Sequence, residues 1–423
     1  MSGMLPDCRV LVVQNGARHN YAVPQALVKH DMLTGFYTDA CGNQGWGKAV
    51  SLFSFVPALK KRLNLLKNRK VPDSVLPFTQ TFPITSAAED VITSVTGSFS
   101  EARLLGLSMA WAGVGDANMI YSSFGWSPGF LAHARRLGLK IVTEFYVRPS
   151  LWKVHKEECR LYPDWEVTPP YLSIEDPTER LRRVTCELSD EVVVPTLSVK
   201  EDVIAEGLFP AEHIHVVPYG IGDSFYSIEN QPEVGNVLFV GSCTLMKGIH
   251  YLAKVSQQIA QEQHPEIITF TAAGDVSEQI RHQSVCSKIR FLGRIPRTEI
   301  NKLYEKADIL VFPTLSDSFG AVILEAMAAG IPVICSPYCA DLVEHGVSGF
   351  VVEPRDTEAW AQAVKTLTFD RGLRARMAKA AKDRARQYSR EGHAESLVTT
   401  LKNIHASGQP ARLSGYPSSD HVQ

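Results

Sequence analysis

Short runs of unbroken apolar residues alternate along this chain with longer segments of helical periodicity. RVLVVQ (Arg9–Gln14), NMIYSS (Asn118–Ser123), KIVTEF (Lys140–Phe145), EVVVPT and HIHVVPYG lie in the first half. NVLFV (ending at Val240), IITFTAAGD, IRFLGRIP, ILVFP and PVICS lie in the second. Runs of this length without polar alternation mark strands buried on both faces, and the helical segments between them predict α/β architecture with parallel sheets. WSPGFLAHARRLG, PTERLRRVTCELSD, LSVKEDVIAEG and DRGLRARMAKAAKDRARQYS read as helices, and residues 87–114 read as weakly helical. The alternation restarts at Asn236, so two Rossmann-like domains are expected, over residues 1–225 and 226–388, with a terminal helix over 389–405. The tail 406–423, rich in Ser, Gly and Pro, is expected to be disordered.

The stretch between ILVFP and PVICS concentrates the chemistry. Ser318 to Ala329 is predicted as a helix opened by Asp317 or Ser318 as cap and closed by Gly330. AVILEAMAA is apolar around its circumference except at Glu325, which predicts burial. No Lys or Arg lies in the neighbouring turns, so that carboxylate needs a donor from elsewhere, and ligand hydroxyls would serve. Asp317 falls in the loop at a strand's carboxyl end, where open parallel sheets bind ligands. Amide N–H groups at a helix start suit a phosphate. Two acids beside such a site suggest a phosphorylated, hydroxyl-rich ligand, and a nucleotide sugar fits.

Asp317, Ser318, Phe319 and Gly320, then Glu325, Ala326, Ala328, Gly330, Pro332 and Val333, resemble the signature of family 4 glycosyltransferases, with Asp in place of the commoner Glu at the first acid. The resemblance implies the GT-B fold: two Rossmann-like domains facing a cleft, acceptor bound by the first and donor by the second, with the terminal helix returning to the first domain. It implies a retaining transfer of sugar from a nucleotide-sugar donor to a glycan or lipid-linked acceptor. Gly241, Lys247 and Gly248 match the family's diphosphate-binding pattern, with Ser242 where an Arg is usual. Arg294 and Ile295 are implied to border the base, and Gly16, Arg18 and His19 to face the cleft. Asp317 and Lys247 are the implied catalytic pair, acting at opposite ends of the donor. Ser242, Lys247, Gly248, Arg294, Ile295, Ser318, Phe319, Gly320, Glu325 and Gly16 are the implied donor contacts. The donor is a substrate, so no cofactor is expected. No Asp-x-Asp motif stands in a suitable place, so no metal is expected. The aromatic insertion YVRPSLWKVHKEECRLYPDWE reads as an acceptor-side element containing a helix. Glu144 and Arg148 follow a strand end and are expected to face the cleft. A sugar-nucleotide epimerase and a non-catalytic nucleotide-sugar binder are the rival readings.

Composition narrows the partners. At 423 residues with a formal net charge of −2, the chain gives no global reason to expect nucleic acid. Eight Cys without metal-like spacing read as reduced thiols. The start MSGMLPDCRVLVVQ lacks a signal-peptide pattern, so a cytoplasmic location is expected. From Cys41 to Pro72 there are seven bases and no acid, interleaved with apolar residues. Such a stretch suits either a solvated helix face or peripheral contact with an anionic membrane.

Overall fold

The computed structural model describes residues 7–45, 69–96, 103–166, 179–262 and 267–408. The first half contributes strands β1 (Val10–Val13), β2 (Leu33–Thr38), β3 (Thr79–Thr81), β4 (Met119–Ser123), β5 (Lys140–Glu144), β6 (Glu191–Val194) and β7 (Ile214–Val216). The second contributes β8 (Asn236–Val240), β9 (Thr269–Ala273), β10 (Ile289–Gly293), β11 (Ile309–Phe312), β12 (Val333–Cys335) and β13 (Gly349–Val351). Among the described residues they form two wholly parallel sheets, in the orders β3-β2-β1-β4-β5-β6-β7 and β10-β9-β8-β11-β12-β13. Each order reverses once, at β1/β4 and at β8/β11, and such a reversal opens a crevice at the strands' carboxyl ends.

Every apolar run named above contains a strand, whereas β2, β3 and β13 were not anticipated. β3 and β13 are three residues long. β2 is interrupted by Gly35, where a Cβ would stand 2.6 Å from Leu11 Cδ1, so the strand's least strand-like residue is there to let β1 approach.

Burial on both faces follows from the two-residue period of a strand. Along β1, Val10 and Val12 enter one core cluster with Leu27 and Phe36, while Leu11 and Val13 enter another with Phe130 and Ile141. The terminal helix Arg390–Ala406 supplies Leu397, Val398, Leu401 and Ile404 to the first of these clusters, so the chain's end completes the first domain's core. Lys140 Nζ donates to the Ile404 carbonyl at 2.7 Å, placing a cation on the helix's negative end. The chain thus passes between the domains twice, near 217–222 and near 388–390. The two crossings are hydrogen-bonded, the Ile221 amide donating to the Tyr388 carbonyl at 3.1 Å.

The aromatic insertion does form a helix, Leu151–Leu161, but its inner face belongs to the second domain rather than the acceptor side. Cys159 and Trp165 join the second domain's core. Glu158 is fully buried and accepts hydrogen bonds from His250 Nε2 at 3.0 Å, the Tyr251 hydroxyl at 3.1 Å and Arg355 at 2.6 Å. Burial opposes ionisation of Glu158, but the bonds from His250 and Arg355 outweigh it and hold the carboxyl below its ordinary value. Burial also pushes His250 down.

Glu158→Gln should therefore cost about 2–3 kcal/mol at neutral pH, less than a fully enclosed pair because half-exposed Arg355 recovers water. A depressed carboxyl stabilises above its unfolded pKa, so the gap between parent and variant should close as pH falls below about 4.5. The loss beginning below pH 6.5, from His250 charging in the unfolded chain, should remain in the variant and deepen there, because Glu158 raises His250 against burial. Urea unfolding from pH 7 to pH 3 measures both, and a gap that does not vary with pH would contradict the assignment.

Candidate active site

The second sheet's reversal brings two loops together. After β8 the chain passes Gly241 and Ser242 into a tight 3-10 turn, Leu245–Lys247, capped by the Thr244 side chain accepting from the Lys247 amide at 3.3 Å. Lys247 therefore sits on this turn, and the following helix, Ile249–Ala260, starts two residues beyond it. Gly248 joins the two with φ +72, and a Cβ there would lie 1.9 Å from the Pro313 carbonyl oxygen. Glycine at this position lets the turn touch the loop after β11. The Leu245 amide is held in turn by Glu166 of the aromatic insertion, at 2.5 Å.

The loop after β11 presents Asp317. Its Oδ1 accepts the amides of Phe319 at 3.0 Å and Gly320 at 2.8 Å, and its Oδ2 accepts Lys247 Nζ at 2.5 Å. Burial pushes against ionisation of Asp317, but Lys247 and those amides prevail and hold the carboxyl below its usual range. Asp317 thus caps a turn rather than the helix itself. The helix runs Ala321–Ala328, three residues later than the sequence predicts, because Gly320 at φ +77 changes the chain's direction first. Gly330 ends it as expected, with φ +78. Lys247 and Asp317, expected at opposite ends of a donor, are in direct contact.

Five of the helix's eight residues are buried, and Glu325 is half-buried. The donor sought for its carboxylate is supplied by the protein, since the Tyr304 hydroxyl donates to Oε2 at 3.0 Å. Glu325 lines a cavity of about 300 Å³ with Gly241, Ser242, Asp275, Arg294 and Ile295. The structure therefore brings Ser242, Arg294, Ile295 and Glu325 to one cavity at the ends of β8, β9 and β10. Arg294 is paired there with Asp275, a partner the sequence did not reveal although its AAGD strand end was visible. Gly274, at φ +155, leaves no room for a side chain against the Gly241 carbonyl oxygen, 1.8 Å from an ideal Cβ.

Ser318 and Phe319 face the first domain. The Ser318 carbonyl accepts the Thr196 hydroxyl at 3.0 Å, and the Phe319 ring meets Tyr219 edge-on at 5.1 Å. The Tyr219 hydroxyl donates to Glu144, which lies buried at the end of β5 with Arg18 3.7 Å away. His19 stacks on Tyr219 at 3.8 Å, and the Arg18 guanidinium lies 3.3 Å from the Tyr146 ring centre. Arg148 pairs with Asp202 and approaches Tyr338 of the second domain. Gly16, at φ +63, donates its amide to Asp39 at 3.0 Å, beside Arg69. It lies at the end of β1, on the first sheet's side of the cleft, away from the Glu325 cavity. His19, Asn20 and Tyr21 all have positive φ, a conformation that non-glycine residues rarely adopt in succession. His19 and Asn20 are types that tolerate positive φ, but nothing in NGARHNY announced that Tyr21 would continue the run.

Among the described residues, His155, Cys159 and Glu166 place possible metal-ligand atoms within 4.8 Å of one another. Glu166 accepts the Leu245 amide and pairs with His155 at 3.2 Å, so it joins the insertion to the Lys247 turn. All eight cysteines are buried and outside disulfides.

Two wholly parallel sheets of seven and six strands, each reversing its order once, have the architecture of the GT-B class. Residues 235–370 match the family described as Glycosyl transferases group 1. An uncharacterized glycosyltransferase of Methanocaldococcus jannaschii is 30% identical over 235 residues, covering 51% of this chain and 60% of that protein. The D-inositol 3-phosphate glycosyltransferase of Corynebacterium urealyticum is 31% identical over 39% of this chain and 42% of its own length. The chain thus spans about half the length of the curated relatives it matches. Among solved structures, sucrose-phosphate synthase of Thermosynechococcus elongatus superposes with TM-score 0.65 at 15% identity, over 95% of this chain and all of that one. Anabaena HepE in complex with UDP gives 0.60 at 17%, over 93% and 100%. These two likenesses establish the shared fold.

If Gly248 is required for contact with Pro313, Gly248→Ala should cost at least about 2 kcal/mol. Gly138→Ala tests the alternative: Gly138 has φ +79 but open space around it, so that variant carries only backbone strain, about 1 kcal/mol. Equal losses of thermal stability in the two would show that the close approach does not matter.

Proposed function

We propose that the chain is a retaining glycosyltransferase that takes a sugar from a nucleoside diphosphate donor held by the second domain and passes it to a glycan or lipid-linked acceptor entering from the first. The observation that carries this reading is the Lys247–Asp317 pair, which joins the loops that follow β8 and β11. The same domain offers a cation, a carboxylate that can hold sugar hydroxyls and, in Glu325 at the cavity lined by Ser242 and Arg294, a second carboxylate for ribose hydroxyls. The UDP held by the Anabaena relative supports a nucleoside diphosphate as the leaving group.

In this reading the bond between the sugar's anomeric carbon and the diphosphate oxygen breaks, and the acceptor hydroxyl oxygen bonds to that carbon from the same face. The acceptor's proton leaves with the diphosphate. Negative charge on the departing oxygen grows as the bond opens, so Lys247 matters more in the transition state than in the ground state. Ser242 and the amides of the Gly241–Lys247 loop would meet the remaining phosphate oxygens, with no second cation from position 242. Asp317, positioned by its turn, would orient the sugar ring rather than form a covalent intermediate. Glu325 with Tyr304 would hold the ribose, and Arg294 and Ile295 would border the base.

A binding screen across UDP-, GDP- and ADP-sugars identifies the donor. With that donor, Lys247→Ala should lower turnover by more than it lowers donor affinity, and Asp317→Asn should lower turnover with nucleotide affinity largely kept. Glu325→Gln should weaken nucleotide binding about tenfold, as expected for loss of a charged hydrogen bond of about 1.5 kcal/mol. NMR of the product should show the anomeric configuration preserved. Inversion, or turnover in both variants equal to the parent, refutes the mechanism, and change of the donor sugar without acceptor would indicate an epimerase.

A further inference from the structure

Two stretches singled out from the sequence remain unused by the transferase reading. The basic stretch from Cys41 to Pro72 lies, over residues 46–68, outside the described residues, and among the described residues no helix is long and apolar enough to cross a membrane. The aromatic insertion after β5 is described in full, and it brings three side chains with metal-ligating atoms together. His155 and Cys159 lie four residues apart on the helix Leu151–Leu161, so they share one face a turn apart. Glu166 reaches the same place from the loop that follows the helix. Possible ligand atoms of the three lie within 4.8 Å of one another, and among the described residues this is the one such group. Cys159 is 7% exposed, and the side chains of His155 and Glu166 are 12% and 15% exposed. None of the three lines the cavity that contains Glu325.

Both elements that present these groups are held by other contacts. The helix is docked by the three donors that converge on Glu158, the residue before Cys159. The loop is pinned by buried Trp165 and by Gln279 and Gln283, which both donate to the Asp164 carbonyl, at 2.9 and 2.7 Å. Glu166 divides its carboxylate between two tasks. Oε1 accepts the Leu245 amide, and Oε2 faces His155 Nε2 at 3.2 Å. That separation is longer than the roughly 2.7–2.9 Å of a charge-assisted hydrogen bond. It is close to the roughly 3.4 Å expected between a nitrogen and an oxygen that share one tetrahedral ion at bond lengths of about 2.0–2.2 Å.

We propose that the His155 imidazole, the Cys159 thiolate and Oε2 of Glu166 bind a zinc ion. Ligand chemistry selects the metal. Mg2+ and Ca2+ take oxygen ligands, whereas a thiolate with an imidazole suits the borderline-soft Zn2+. Burial keeps the Cys159 thiol protonated while no cation is bound, so coordination replaces the S–H bond by an S–Zn bond and releases one proton to water. Three protein ligands leave the fourth position to water. The role that the geometry gives this ion is mechanical, because Glu166 Oε1 stays on the Leu245 amide while Oε2 is tied to the metal. Zinc there fastens the insertion to the turn that carries Lys247, two residues beyond Leu245. Cysteine spacing does not reveal such a site, since two of its three ligands are not cysteines.

The test uses no glycosyl donor and measures no turnover, so its failure is separate from any failure of the transferase reading. The full chain is stripped of metal with a chelator and titrated with Zn2+ and with Co2+, which reports a thiolate ligand through sulfur-to-cobalt charge-transfer absorption. That absorption is expected in the parent, saturating at one ion per chain. Cys159→Ser should abolish it and weaken Zn2+ binding at least about tenfold, and His155→Gln should weaken Zn2+ binding by a similar factor, with far-UV circular dichroism unchanged in both. Zinc should also slow amide hydrogen exchange in residues 243–249 of the parent at least about threefold and leave it unchanged in Cys159→Ser. Should Cys159→Ser not fold, His155→Gln carries both measurements. Absence of the charge-transfer absorption in the parent, or Zn2+ affinity in both variants equal to the parent's, overturns the site and leaves His155 and Glu166 as an ion pair. Exchange in the parent that zinc does not change overturns the fastening role.

Discussion

The contact between Lys247 and Asp317 bridges the two loops that meet at the second sheet's reversal. Everything near it is arranged so that this bridge can form. Gly248 has no side chain because the Pro313 carbonyl fills the place a Cβ would take. The Leu245–Lys247 turn is held from one side by Thr244 and from the other by Glu166, a residue contributed by the first half of the chain. Asp317 spends one oxygen on two amides and the other on the lysine, so its orientation is fixed from both directions. Without this contact a cation and a carboxylate would stand unpaired at the mouth of a buried core. Pairing holds the Asp317 carboxyl below its usual range despite burial and keeps the two loops in register.

The insertion Leu151–Glu166 extends that order outward. It is encoded in the first half yet completes the second domain's core with Cys159 and Trp165 and buries Glu158 among His250, Tyr251 and Arg355. A fully buried carboxylate is tolerated there because three donors converge on it. The cost of leaving those donors unmet fixes where the helix docks. The turn carrying Lys247 is thereby supported by residues about eighty positions earlier.

Much of this was legible in the sequence because parallel strands buried on both faces leave an unbroken apolar signature. β1 and β4 through β12 could be named from their residues, and the stretch between ILVFP and PVICS stood out as the candidate site. β2 was not, because Gly35 answers a packing demand from Leu11 that has no local signature. The helix start was misplaced by three residues because Asp317 bonds two amides of a turn instead of the helix's own first N–H groups, and side-chain type does not distinguish these. Glu325 was visible as the odd polar residue of its helix, but its partner Tyr304 lies on another element and could not be inferred. The cluster of Arg18, His19, Glu144 and Tyr219 depends on a run of positive φ angles whose continuation to Tyr21 no residue type there announced.

The paired crossings between the domains have a mechanical consequence. Ile221 and Ser389 form an isolated parallel bridge, and Gly220 passes so close that an ideal Cβ would lie 2.2 Å from the Ser389 carbonyl oxygen. Two connections tied at one place act as one strap: they permit the halves to bend about it while resisting twist, since twisting would shear the bridge. The Phe319 ring meets Tyr219 on the strap itself, one residue before Gly220, and the neighbouring Ser318 carbonyl accepts the Thr196 hydroxyl, so the loop that carries Asp317 is tied to the strap. A ligand that displaces Asp317 therefore also changes the free energy of cleft opening, and by thermodynamic reciprocity the degree of opening must change that ligand's affinity by the same factor.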